Sequence, residues 1–137
     1  MEVSHRGSEA QRNIITGDIL DASVKIHKLF GPGLLESVYE RLLAVELRKR
    51  GHRVECQKAI SFTYEGEVFD NAFCVDMIVD NEIVVELKST GAMNPVYPKQ
   101  LRTYLVLLGK ELGVLINFGM ATLKEGFKRV VNNVNLV

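Results

Sequence analysis

The sequence predicts an α/β domain, a mixed central sheet flanked by helices in the order α-α-β-β-β-α-β. Three observations carry this. Apolar residues recur at helical spacing between Ile15 and Val45, and strand-like runs follow between Val54 and Ser89. An amphipathic segment near Lys99 then separates those runs from a largely apolar stretch, Val114 to Phe118. The intervening helix favours parallel pairing of that last stretch through a right-handed crossover, whereas the short links between the earlier strands favour an antiparallel meander.

A chain of 137 residues, 47% hydrophobic and 25% charged, suits one domain burying roughly two-thirds of its unfolded surface. Residues 1–13 are polar and aperiodic and read as a flexible leader, which leaves 14–137 as the single domain. The 17 basic and 17 acidic residues cancel, so attraction to phosphate has to come from local patches. Cys56 and Cys74 form no Cys-x-x-Cys, which argues against a zinc site or a disulfide framework and reads them as small buried hydrophobes. No apolar run reaches the ~18 residues of a membrane span, and the polar start has no signal-peptide core. These features predict a soluble, cytoplasmic protein with no membrane partner.

The first helix is expected to begin near Thr16 as N-cap, with Ile15, Ile19, Ala22, Ile26 and Leu29 as its buried stripe opposite Asp18, Asp21, Lys25 and Lys28. Gly31-Pro32-Gly33 stops it, and a second helix starts at once near Leu34 or Leu35 and ends by Gly51. Leu35, Val38, Leu42 and Val45 stand at core spacing on it, with Glu36 and Glu40 one turn apart on a neighbouring face. Its basic end, Arg48, Lys49, Arg50, His52 and Arg53, suits either the helix macrodipole or a phosphate.

Val54 to Tyr64 reads as a strand, Glu65-Gly66 as its turn, Val68 to Val79 as a second strand and Ile83 to Ser89 as a third. A loop with Gly91, Pro95 and Pro98 leads to a helix from about Lys99, apolar at Leu101, Tyr104, Leu105 and Leu108 and closed by Gly109 or Gly113. Val114 to Phe118 suits a buried central strand, and the tail with Phe127, Val130, Val131 and Val134 reads as a last strand ending near Asn132 rather than a short helix.

Charges interrupt the second and third strands at Asp76, Glu86 and Lys88, and buried charges need compensation. A divalent metal and an anionic substrate would supply it, which points to metal-assisted phosphodiester chemistry. A two-residue turn at Asp80-Asn81 would send Glu86 to the face opposite Asp76, whereas a three-residue loop, Asp80-Asn81-Glu82, or a bulge would set them opposite one another. Without that geometry the same residues suit a solvent-facing ion pair.

Asp76 followed after ten positions by Glu86-Leu87-Lys88 resembles the PD-(D/E)XK nuclease superfamily, and Gly33-Leu34-Leu35-Glu36-Ser37-Val38-Tyr39 resembles the signature of its GxxExxY family. The likeness spans Asp18 to Asn132, taking in Gly31-Pro32-Gly33, Gln100, Thr103-Tyr104-Leu105 and Leu115-Ile116-Asn117-Phe118. It implies a restriction-endonuclease-like α-β-β-β-α-β core with an extra N-terminal helix. It also implies that Asp76 and Glu86 bind Mg²⁺ or Mn²⁺ with the Leu87 carbonyl as a further ligand, and that Lys88 orients water and stabilises phosphate charge. Glu36 would be the additional acidic residue and Gln100 the polar residue facing the site, with DNA or RNA as partner and a homo-oligomer compatible with the family. Departures from the pattern are Val75 in place of proline, Cys74 in place of a frequent arginine and Tyr97 in place of a common histidine. An alternative is a catalytically inactive nuclease-fold adaptor that binds nucleic acid or protein. Tyr39, Tyr104 and His27 read as structural.

Overall fold

The computed structural model describes residues 5–132. Four turn residues in left-handed backbone build the first half of its sheet. Glu65 and Gly66 (φ 47° and 81°) reverse the chain between β1 (Val54–Tyr64) and β2 (Glu67–Val79), and Asp80 and Asn81 (φ 53° and 55°) do so between β2 and β3 (Ile83–Lys88). Paired positive φ gives turns whose twist matches antiparallel strands. After α3 (Val96–Leu108), capped by Gly109 at φ 66°, β4 (Leu112–Asn117) returns parallel to β3. A short α4 (Leu123–Gly126) then leads to β5 (Phe127–Val131), antiparallel to β4, so the strand order is β1-β2-β3-β4-β5. The expected meander, crossover and terminal strand are all present; Val134 lies outside the described residues.

Two apolar layers hold the sheet. On one face, α1 (His5–Phe30) and α2 (Glu36–Lys49) bury Ile15, Ile19, Ile26, Tyr39, Leu43 and Leu47 against Met77, Val79, Ile83, Val85 and Ile116. On the other, Leu101 and Leu105 of α3 pack on Ile60, Val75, Ile78, Val84 and Leu115. β4 is buried along its whole length, as a central strand between two helix layers must be.

Several local expectations change. α1 starts at His5, so residues 5–13 join the helix instead of forming a loose leader. Glu9, Ala10, Gln11 and Arg12 are good helix formers that carry no apolar stripe, and Arg12 pairs with Glu111 at 3.0 Å while Arg129 reaches Asn13 at 2.9 Å. Thr16 is therefore inside the helix, its hydroxyl donating to the Asn13 carbonyl at 3.2 Å, and Leu29 is exposed. α2 is rotated from its expected phase: Tyr39, Leu43, Ala44 and Leu47 are buried, while Leu35, Val38 and Val45 face solvent and only Leu42 packs partly on the core. α3 begins at Val96, because Pro98 is tolerated in a first turn where its missing N–H has no partner to lose. The cysteines are free thiols, Cys56 half-buried and Cys74 exposed, which corrects their reading as buried hydrophobes.

A staple joins the helix layer to the β2–β3 turn. His52, just past α2, sets Nε2 against Asp18 of α1 at 2.7 Å and Nδ1 against Asp80 at 2.6 Å, and Asp80 also accepts the Arg53 N–H at 2.8 Å. With carboxylates at both ring nitrogens, the imidazolium is the form that donates twice. Burial opposes its charge, but the hydrogen bonds and charges of Asp80 and Asp18 win and raise its pKa above 6.5. A raised pKa contributes stability that is full below the unfolded-state value and lost as pH rises through the folded one. Denaturant unfolding across that window is expected to show a pH-dependent component that His52→Gln removes; parallel profiles for the two proteins would refute the staple.

Candidate active site

The β2–β3 ladder pairs Val79 with Ile83, Ile78 with Val84 and Met77 with Val85, and there it stops. This is the register of a three-residue connection, so the next positions, Asp76 and Glu86, face one another. Their side chains replace the ladder: Asp76 N–H donates to Glu86 Oε1 at 3.1 Å, and Leu87 N–H donates to Asp76 Oδ2 at 2.8 Å. Beyond this interlock β3 continues against β4 as far as Lys88 opposite Asn117.

On its other side, β2 turns over at the same point. Val75 packs in the α3 layer and Met77 in the α1/α2 layer, although alternate residues of a regular strand share a face. The β1–β2 ladder runs from Cys56–Met77 to Lys58–Val75 and leaves out Gln57, which sits opposite Asp76 at φ 50°. From there Gln57 Nε2 donates to Asp76 Oδ1 at 3.2 Å and to Glu40 Oε1 at 2.5 Å. Cys74 Sγ lies 3.4 Å from Gln57 Oε1. The kink thus carries Asp76 towards α2.

Glu36 opens α2, and its position depends on the preceding turn. The Tyr39 hydroxyl donates to the Gly31 carbonyl and accepts from Leu34 N–H at 3.1 Å, and its ring stacks on Phe118 with centroids 4.3 Å apart. Ser89, just after Lys88, donates to the Leu34 carbonyl at 2.8 Å and ties the turn to the end of β3. Tyr39 is structural, as expected, and so is His27, whose Nε2 lies 3.0 Å from the Met120 carbonyl. From the other layer, Tyr97 of α3 receives Lys88 Nζ on its ring face, 4.7 Å from the centroid, a cation–π contact. Tyr104 stacks on Phe73 with centroids 4.4 Å apart, and Gln100, between the two tyrosines in sequence, is exposed.

A family model of the PD-(D/E)XK nuclease superfamily matches residues 13–130. The chain belongs to this superfamily. Comparison with curated proteins and with solved structures found no match. The mixed sheet with its flanking helices and additional N-terminal helix is consistent with the restriction-endonuclease-like fold, as expected. No helix among the described residues is long and apolar enough to cross a membrane.

PD-(D/E)XK nucleases generally use divalent metal ions, and the electrostatics here bear on whether this chain's residues fit one. Glu86 is 7% exposed, and burial first, then the charge of Asp76, pushes its pKa up to about 8. Glu36 is raised by burial and by Asp76 against a smaller lowering from Lys88, and Glu40 by burial and Asp76 against the Gln57 hydrogen bond. Four carboxylates beside a single lysine therefore leave uncompensated negative charge. The set is all oxygen, the preference of Mg²⁺ and Mn²⁺ over softer metals. Among the described residues no three His, Cys, Asp or Glu groups converge at ligand spacing, so Glu36 is not gathered with Asp76 and Glu86 around one point. Mg²⁺ needs only one or two protein carboxylates when waters and substrate phosphate complete its shell, so the pair fits.

Sequence reading missed Glu40 and Gln57 as members of this cluster. Glu40 carried a signal, one helical turn from Glu36. Gln57 carried none.

Proposed function

We propose that the chain is a metal-dependent nuclease hydrolysing phosphodiester bonds of DNA or RNA, with Glu36, Asp76, Glu86, Lys88 and Gln100 at its centre. One observation supports it above the others: Asp76 and Glu86 interlock where the strands part, with Lys88 two residues on and Glu36 across the opening. The run Gly33 to Tyr39 supports placing it with the GxxExxY group, since Glu36 lies towards the cluster and Tyr39 fixes the turn before it.

In this reading Asp76 and Glu86 would hold Mg²⁺ or Mn²⁺ with the Leu87 carbonyl as a further candidate for its shell, and Glu36, set apart from the pair, would join the shell only through a bound water. The ion would supply Lewis acidity and neutralise phosphate charge. Lys88 donates to a phosphate oxygen and stabilises the charge that grows there, while Tyr97 confines its flexible stem. Glu36, at the open side, orients the attacking water. Gln100, on the helix that carries Tyr97 and Tyr104, contacts the substrate.

Calorimetric titration of Mg²⁺ and Mn²⁺ into the native protein, Asp76→Ala and Lys88→Ala tests this. Binding is expected in the native protein and in Lys88→Ala and absent in Asp76→Ala, while cleavage of nucleic acid is lost in both variants. No binding at millimolar metal, even with nucleic acid present, would replace the enzyme with a nuclease-fold adaptor.

A further inference from the structure

The proposed cleavage site has a charge problem. A polynucleotide strand that reaches Asp76 and Glu86 must bring flanking phosphates past Glu36 and Glu40, which repel them. Apart from Lys88, relief is offered by a hollow of about 270 Å³ that begins at Glu40 and is lined by Arg41, Ala44, Val45, Arg48 and Cys56. Gln57 connects it to the cluster, since one amide group donates to both Glu40 and Asp76.

We propose that this hollow is a backbone subsite, taking the sugar and phosphates of the nucleotides flanking the scissile bond through Arg41 and Arg48; the inference rests on the nuclease reading. Seven residues along a helix put the two arginines on one side of α2, about 10 Å apart along its axis, so they meet separate phosphates. Arg48 Nη2 donates to the Val54 carbonyl at 2.9 Å, which holds its guanidinium at the rim and leaves further N–H donors. Arg41 is exposed and makes no hydrogen bond or ion pair among the described residues. The floor of Ala44, Val45 and Cys56 offers an apolar surface for a sugar and few groups to read a base edge, so the contact is sequence-neutral. By contrast, other members of the basic run are engaged: Arg50 with Glu46 and Asp21, His52 with Asp18 and Asp80. The subsite also accounts for phosphate attraction in a chain of zero net charge, because only this rim needs to be positive.

The test measures binding of short labelled single-stranded DNA and RNA by anisotropy in EDTA, between about 50 and 200 mM salt. The double variant Arg41→Gln/Arg48→Gln is expected to weaken binding about tenfold and to reduce the slope of log affinity against log salt by about 1.4, two released counterions on a single strand. Arg48→Lys, which keeps a donor for Val54, and Lys128→Gln on β5, at the sheet edge opposite β1, are expected to leave the slope within about 0.3 of native. Arg41→Gln alone, at an exposed position, is expected to give half the effect of the double variant. Metal-dependent hydrolysis of bis(para-nitrophenyl) phosphate, too small to span the hollow, should be unchanged in every variant. Native binding with an unaltered slope in the double variant overturns the subsite and leaves the nuclease reading intact. A native protein that hydrolyses neither the small diester nor the oligonucleotides overturns the nuclease reading, and the subsite with it.

Discussion

Glu86→Gln is expected to make the metal-free protein more stable in alkaline solution while abolishing Mg²⁺ and Mn²⁺ binding and cutting nucleic-acid cleavage by at least about a hundredfold. The first effect follows from linkage. Burial and Asp76 raise the Glu86 carboxyl from 4.5 to about 8, so between those values the folded protein holds a proton that the unfolded chain releases. Its contribution is full below about 4.5 and is lost as pH rises through about 8, leaving a buried anion beside Asp76 above that. The loss should be about 2 to 4 kcal/mol, less than the bare shift implies because the two carboxylates titrate together. Glutamine keeps an oxygen to accept the Asp76 N–H but has no charge to bury. Denaturant unfolding in EDTA at pH 6 and pH 9 should show the native protein falling and the variant falling only by the His52 component. The His52 component acts in the same direction and survives in this variant, so His52→Gln beside it separates the two. Metal binding displaces the same proton, and calorimetry in buffers of different ionisation enthalpy should detect its release. Equal alkaline losses in the native protein and Glu86→Gln, or retained metal binding in the variant, would refute the assignment.

Asn117→Ala is expected to cost about 3 to 5 kcal/mol and to impair cleavage at temperatures where the variant is still folded. Asn117 is fully buried at the end of β4, beside Lys88. Its Oδ1 accepts from Thr90 N–H and Gly119 N–H, both at 3.0 Å, and its Nδ2 donates to Thr90 Oγ1 and the Ala92 carbonyl, both at 3.1 Å. Truncation orphans these buried groups in a close-packed turn, where a Cβ on Gly119 would lie 2.4 Å from the Thr90 carbonyl oxygen. The segment released is the connection from Lys88 to Tyr97 and Gln100, so the lysine and its ring support lose their common anchor. Asn117→Asp keeps the two acceptor bonds and should fall between the native protein and the alanine variant. A loss under about 1 kcal/mol for Asn117→Ala would show that the latch is not structural.

The sheet was legible in the sequence because its turns carry Gly66, Asp80 and Asn81, residues that accept positive φ more readily than most. Glu65-Gly66 and Asp80-Asn81 mark both hairpins, and the run from Val114 to Phe118, apolar except for Asn117, suits a buried central strand. α2 was misread in phase because it is apolar on two sides. Leu35, Val38, Leu42 and Val45 form as good a stripe as Tyr39, Leu43, Ala44 and Leu47, and only the packed sheet decides which is buried. The pairing of Asp76 with Glu86 was legible as a condition on loop length. The overturning of β2 at Asp76 was not, because it depends on Gln57 leaving the ladder, an event of tertiary structure at a residue with no unusual local preference. Residues 5–13 went unread for a similar reason, their helix being held by one ion pair, one hydrogen bond and propensity rather than by periodicity.

The β2–β3 connection, Asp80 to Glu82, touches neither the proposed metal pair nor the hollow on α2, yet the pair of residues it closes decides whether Asp76 and Glu86 meet. Were Asp80-Asn81 alone to close the hairpin, pairing Val79 with Glu82, Asp76 would face Val85 and Glu86 would turn to the opposite layer, while every side chain of the proposed site remained in the sequence. A slip of one position at this hairpin would thus abolish the proposed chemistry without altering any residue assigned to it. Of the three turn residues, Glu82 should tolerate substitution best, because it has neither the left-handed backbone of Asp80 and Asn81 nor a part in the His52 staple.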